Sequence, residues 1–193
     1  MSRRLPPIPA SQQSPEQAQL VALYRSSWRK VLATPDGGLG GPFDATLYSP
    51  GYASSIVEVG DYFREKSGLP PRIKELAVLI VAHKTRCGFE WHAHAAAALR
   101  LGVDLESIKA IRDGRMPKLE SAAETAALEV AQQLTQSGAI DDPTFERARS
   151  ALGEKVLIDL IGLVGYYFTV AIILNCARVT HPKVGTGEFP ELP

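Results

Sequence analysis

The stretch PRIKELAVLIVAHKTRCGFEWHAHAAAALRLG, residues 71–102, decides how this chain is read. After the break at Pro70-Pro71, Ile73 to His83 reads as a strongly apolar helix. Residues 87–101 read as a second, Ala-rich helix that Gly102 stops. In this second helix Cys87 precedes Glu90 by three residues, and Glu90 precedes His94 by four. On an α-helix those spacings bring a thiol, a carboxylate and an imidazole to one face, stacked along about two turns. The small side chains Ala93, Ala95, Ala96, Ala97 and Ala98 let a neighbouring helix approach closely.

Each of these residues has a chemical and a plain reading. Cys87 follows Lys84-Thr85-Arg86 at the helix start. There the helix dipole and nearby cations are expected to lower a thiol's pKa. Its plain reading is a small hydrophobe. Glu90 and His94 have the spacing of a general acid/base pair. Their plain reading is a helix-surface pair worth a few tenths of a kcal/mol. The large neighbours Phe89 and Trp91 are expected to place Glu90 at the edge of an apolar pocket. Glu75 leads the apolar run of the preceding helix, where it is either a site carboxylate or a first-turn charge. His83 is a candidate supporting group. A metal centre is not expected. His92 and His94 are two residues apart and point about 200° away from each other on a helix, and the spacing fits no zinc pattern.

Working outward, residues 1–15 are rich in Pro, Ser and Gln and read as a loose arm. Ser14-Pro15-Glu16-Gln17 reads as a helix start with Ser14 as cap. The helical pattern that follows carries Leu20, Leu23, Trp28, Val31 and Leu32. The glycine-rich run Thr34 to Pro42 lacks the Lys-Ser/Thr of a phosphate-binding loop and reads as a connector. Residues 43–67 carry one further helical pattern with Pro50 near its beginning. Beyond Gly102, helices are expected from about Asp104 to Gly114, Glu120 to Gln136, Asp142 to Leu152 and 154 to 177. That makes an all-α domain of about eight helices over residues 16–180, with an irregular tail at 181–193.

With 193 residues and 45% hydrophobic content, the chain is long enough to bury a core of its own. Lys and Arg balance Asp and Glu at 21 each, so no nucleic-acid partner is expected. Two cysteines make no disulfide framework, and no apolar run follows the basic N-terminus, so a reducing, cytoplasmic location is expected. The apolar run Val156 to Ala177 holds Asp159, Asn175 and the pair Tyr166-Tyr167, and reads as a buried core helix rather than a membrane span. No cofactor is expected. Ala-rich and apolar helix faces suggest a homo-oligomer.

The run from Pro71 to Ala82, then Cys87-x-x-Glu90-Trp91-x-x-His94, then the Ala-rich sequence to Leu101-Gly102-Val103, resembles the carboxymuconolactone decarboxylase and alkylhydroperoxidase-D-like superfamily. The resemblance is good over about residues 43–115. It implies an all-α fold, assembly into dimers, trimers or hexamers, and a small-molecule substrate. The peroxidase branch uses a glutamate, a Cys-x-x-Cys pair and a histidine, which places Glu75, Cys87 and His94 on its pattern with Glu90 where the second cysteine would stand. The decarboxylase branch uses a glutamate four residues before a histidine, which Glu90 and His94 match.

Three functions follow as expectations. In the first, His94 and Glu90 carry out proton transfer on a small organic acid or lactone, as in decarboxylation, with Cys87 assisting. In the second, Cys87 is the attacking thiolate of a peroxidase, resolved by Cys176 or by an external thiol. In the third, the domain binds a ligand without catalysis.

Overall fold

The computed structural model describes residues 3–34, 37–187 and 190–193. Among them nine α-helices occur and no strand, the all-α class expected. The connector read over Thr34 to Pro42 falls partly outside the described residues.

The departure from eight helices has a local cause. Residues 43–67 split into α2 (Phe43–Thr46) and α3 (Pro50–Asp61), which continues into a π-turn at Tyr62–Lys66. Pro50 cannot donate a backbone hydrogen bond and drives Ser49 out of the helical region, to φ −132 and ψ 80. The first helix is also shorter than its apolar pattern. α1 (Pro15–Ser26) starts with the expected capping box between Ser14 and Gln17 and stops at an extended Ser27. The chain then makes a 3-10 turn at Trp28–Leu32, whose start Ser27 caps through Arg29 N. Buried Asp44 shapes the following glycine-rich connector by accepting from Leu39 N at 2.8 Å and Gly40 N at 3.2 Å.

α4 (Pro71–Thr85) is the axis of the fold and packs against α5 (Gly88–Arg100), α7 (Ala122–Ser137) and α9 (Glu154–Ala177). Neighbours on several sides explain why Leu76 to Ala82 are buried without interruption. The main core joins Leu76 and Leu79 to Trp91, Leu128, Leu160 and Leu163. α6 (Leu105–Arg112) and α8 (Asp142–Leu152) flank it. A second core of Leu20, Tyr24, Phe43, Leu47 and Val57 holds the N-terminal elements together.

α9 packs on α4, α7 and α8 through residues such as Leu157, Leu160 and Leu163. By length and composition alone it is apolar enough to cross a membrane, with a mean hydropathy of 2.2 over its most apolar stretch. Its other face is open, with Ile158 63% and Ile172 48% exposed.

Residues 178–187 and 190–193 form no helix, and parts of them are packed against α5. Trp91 Nε1 donates to Pro190 O at 2.7 Å, and Glu191 Oε2 lies 3.0 Å from His92 Nε2. The His92 contact holds the side of α5 that faces away from His94.

Candidate functional site

The turn between α4 and α5 sets the site. α4 ends on Arg86 in the left-handed conformation, φ 51, while Cys87 N donates to Ala82 O at 2.9 Å. The chain reverses there, so a residue early in α4 comes to face the second turn of α5. Glu75 therefore meets His94, with Oε2 2.6 Å from Nδ1. Glu90, one turn earlier on α5, reaches the other ring nitrogen, with Oε2 3.0 Å from Nε2. A carboxylate on each nitrogen lets both ring N–H groups donate, which is the hydrogen-bonding pattern of an imidazolium.

Burial works against charge on this ring. Glu75, and after it Glu90, outweigh burial and push the His94 pKa up to about 10. For Glu75, burial would raise the pKa, but His94, with help from Lys74 and Arg100, holds the carboxyl below its ordinary value. Tyr167 packs its ring edge-on against His94 at 4.9 Å between centroids. Burial, then the charge of Glu90, pushes the hydroxyls of Tyr166 and Tyr167 above their usual range.

Glu75 and His94 open onto a cavity of about 100 Å³. Tyr166 and Tyr167 of α9, Phe63 and Arg64 of the π-turn, and Trp28 and Arg29 of the 3-10 turn form its other walls, together with Phe43, Gly60 and Lys74. Gly60 lets this wall pack closely, because a Cβ there would strike the Tyr166 hydroxyl. Arg29 is only 5% exposed. Its guanidinium pairs with Asp61 at 2.5 Å and lies over the rings of Trp28, Phe43 and Tyr24 at 4.7, 5.4 and 5.7 Å. A larger groove of about 730 Å³ between α7 and α8 offers only surface groups such as the Arg147–Glu129 ion pair.

Of the residues read from the sequence, Glu75, Glu90 and His94 come together. Cys87 starts α5, as expected, but it does not line the cavity. It is 1% exposed and packed among Ala45, Phe89, Val170 and Leu174. The expected fall in its pKa is reversed. Burial first, and then the charge of Glu90, push the thiol up to about 12, against a smaller downward pull from the amides of Glu90 and Phe89. Cys176 is exposed on α9, and both thiols are free.

The supporting residues are placed elsewhere too. Phe89 lies in the apolar cluster with Cys87, and Trp91 in the main core. His83 borders a separate hollow with Gly114 and Gln132, where burial lowers its pKa. Among the described residues no group of three or more His, Cys, Asp or Glu could hold a metal ion.

Several wall residues escaped the sequence reading. Arg29, Arg64 and the two tyrosines lie 30 or more residues from His94 in sequence or on other elements, so no spacing rule links them to it. The adjacent aromatic and guanidinium of Trp28-Arg29 were the only local signal.

The carboxymuconolactone decarboxylase family model matches residues 50–133. No curated protein matches the sequence. An uncharacterized peroxidase-related protein from Silicibacter sp. TM1040 has a similar structure, with a TM-score of 0.72 at 15% identity over 97% of this chain and 94% of that one. The debrominase Bmp8, as a cysteine-to-alanine variant in complex with 2,3,4-tribromopyrrole, has a TM-score of 0.69 at 16% identity over 93% of this chain and 92% of its own. A protein of unknown function from Agrobacterium tumefaciens, proposed to be the antioxidant defence protein AhpD, has a TM-score of 0.62 at 21% identity, covering 71% of this chain and 94% of that one.

Proposed function

We propose that this chain, whose residues 50–133 match the carboxymuconolactone decarboxylase family model, is an enzyme that transfers protons on a small organic acid or lactone. The observation that carries this reading is the clamp on His94, whose two ring nitrogens meet Glu75 and Glu90 at 2.6 and 3.0 Å beside a cavity of about 100 Å³. The clamp keeps the ring protonated, and a substrate that takes the place of one carboxylate at a ring nitrogen would meet that proton. In a decarboxylation, the bond to the substrate's carboxylate breaks and its electron pair stays on the carbon as an enolate or carbanion. That carbon is more basic than the clamped ring, so the proton runs downhill from His94 to carbon as CO₂ leaves. The neutral ring regains its proton from water, and the carboxylates restore its charge. A small ring compound bound to a debrominase of this fold supports a small-molecule substrate here.

With a confirmed substrate, His94→Ala and Glu90→Gln are expected to lower kcat by roughly 100-fold or more, the usual worth of a positioned proton donor. Unchanged turnover in both variants contradicts the reading.

A thiol peroxidase is the second reading, supported by the position of Cys87 at the N-terminus of the same helix. In that reaction the thiolate takes the distal oxygen of a hydroperoxide, giving a sulfenic acid and an alcohol. The raised thiol pKa and the burial of Cys87 weigh against it. After peroxide treatment, mass spectrometry is expected to find oxygen on exposed Cys176 and none on Cys87. Rapid oxidation of Cys87 in the folded chain would favour the peroxidase instead.

A further inference from the structure

We propose that Arg29 is the carboxylate anchor of this cavity, holding the anionic end of a short monocarboxylic acid whose reacting carbon lies toward His94. This rests on the acid–base reading above and adds to it the residue that recognises the substrate. Arg29 belongs to the 3-10 turn at Trp28–Leu32, ahead of the matched segment 50–133, so the anchor is supplied by a part of this chain outside that segment.

The guanidinium is almost wholly buried, yet its hydrogen bonding is incomplete. Nη2 is taken by Asp61, and Nη1 has only a 3.5 Å contact with Ser27 Oγ. Nε is buried without a partner. A buried donor on a charged group is costly to leave unmade, and a ligand acceptor in the cavity would satisfy it. The faces of Trp28, Phe43 and Tyr24 hold the guanidinium plane in place, and that plane matches the geometry of a carboxylate.

Charge and size narrow the ligand further. Arg29, Arg64, Lys74 and His94 line the cavity with Glu75, so its lining carries more cations than carboxylates. That excess suits an anionic ligand. A cavity of about 100 Å³ has room for about three waters at ~30 Å³ each, which fits an acid of a few heavy atoms. The rings of Trp28, Phe63, Tyr166 and Tyr167 would receive its apolar remainder.

Propanoate and its neutral counterpart propanamide test the anchor by titration calorimetry on the full chain. Propanoate is expected to bind at least 10-fold more tightly than propanamide. Arg29→Gln is expected to remove at least 10-fold of the propanoate affinity and to leave propanamide unaffected. Asp61→Asn releases Nη2 and is expected to tighten propanoate binding, which decides the question even if Arg29→Gln fails to fold. Equal affinity for the two probes, binding of neither, or an Asp61→Asn variant no tighter than wild type overturns the proposal. His94→Gln is expected to keep its preference for propanoate over propanamide. Loss of turnover there with that preference intact separates the proton-transfer role from the anchor, so either can fail alone.

Discussion

At the scale of single residues, Glu75, His94 and Glu90 depend on one another. Neither carboxylate would sit comfortably in this partly buried place without the charged ring, and the ring would lose its charge to burial without them. The pH dependence of stability follows from the directions of the two resolved shifts. His94 is raised to about 10, so its contribution is fully present below its ordinary value of 6.5 and is lost as pH rises through about 10. Glu75 is lowered, so its contribution is present above its ordinary value of 4.5 and is lost as pH falls through the depressed value. The clamp therefore stabilises the fold most near pH 5–6. Glu75→Gln is expected to cost on the order of 3 kcal/mol in that range and much less above pH 10, as read from urea unfolding at both pH values. A cost that does not change with pH contradicts this account of the clamp.

At the scale of elements, the cavity lies where Gly60 of α3, His94 of α5 and Tyr166 of α9 line one space. Gly60→Ala gains helix propensity of about 1 kcal/mol but forces the Tyr166 ring to move, at an overpacking cost of about 1–3 kcal/mol. Tyr166 is held between Phe63 and Tyr167, at centroid distances of 5.8 and 5.2 Å, so its ring has little freedom to yield. The variant is expected to be as stable as wild type or slightly less, with weaker propanoate binding. Stronger binding would contradict the assignment of this wall. The same scale shows what could be read in advance. The pairing of Glu90 with His94 was legible because four residues is one helical turn. The cap at Ser14 was legible from local backbone chemistry, whereas residues 43–67 were read as one helical pattern that Pro50 in fact splits. The meeting of Glu75 with His94 depends on the left-handed Arg86, and a non-glycine residue gives no warning of that conformation. The thiol of Cys87 was misjudged because a helix start lowers a pKa only where burial does not outweigh it. The burial comes from α9, some 80 residues further along the chain.

At the scale of the whole molecule, α9 keeps an open face along Ile158, Gly165 and Ile172. Side chains of this kind, with a glycine that admits a close helix neighbour, support the proposal that copies of the chain associate through α9. Light scattering is expected to give at least twice the 20.9 kDa chain mass, and Ile158→Glu with Ile172→Glu is expected to return the single-chain mass. A single-chain mass for the wild type would leave this face without its proposed role. The fold, the clamp and the cavity all converge on one physical statement, that His94 carries a proton held by two carboxylates. Nuclear magnetic resonance of the His94 ring across a pH titration measures this directly. The account predicts a ring that stays charged through neutral pH and titrates near 10. A ring that titrates near its ordinary value of 6.5 would contradict it.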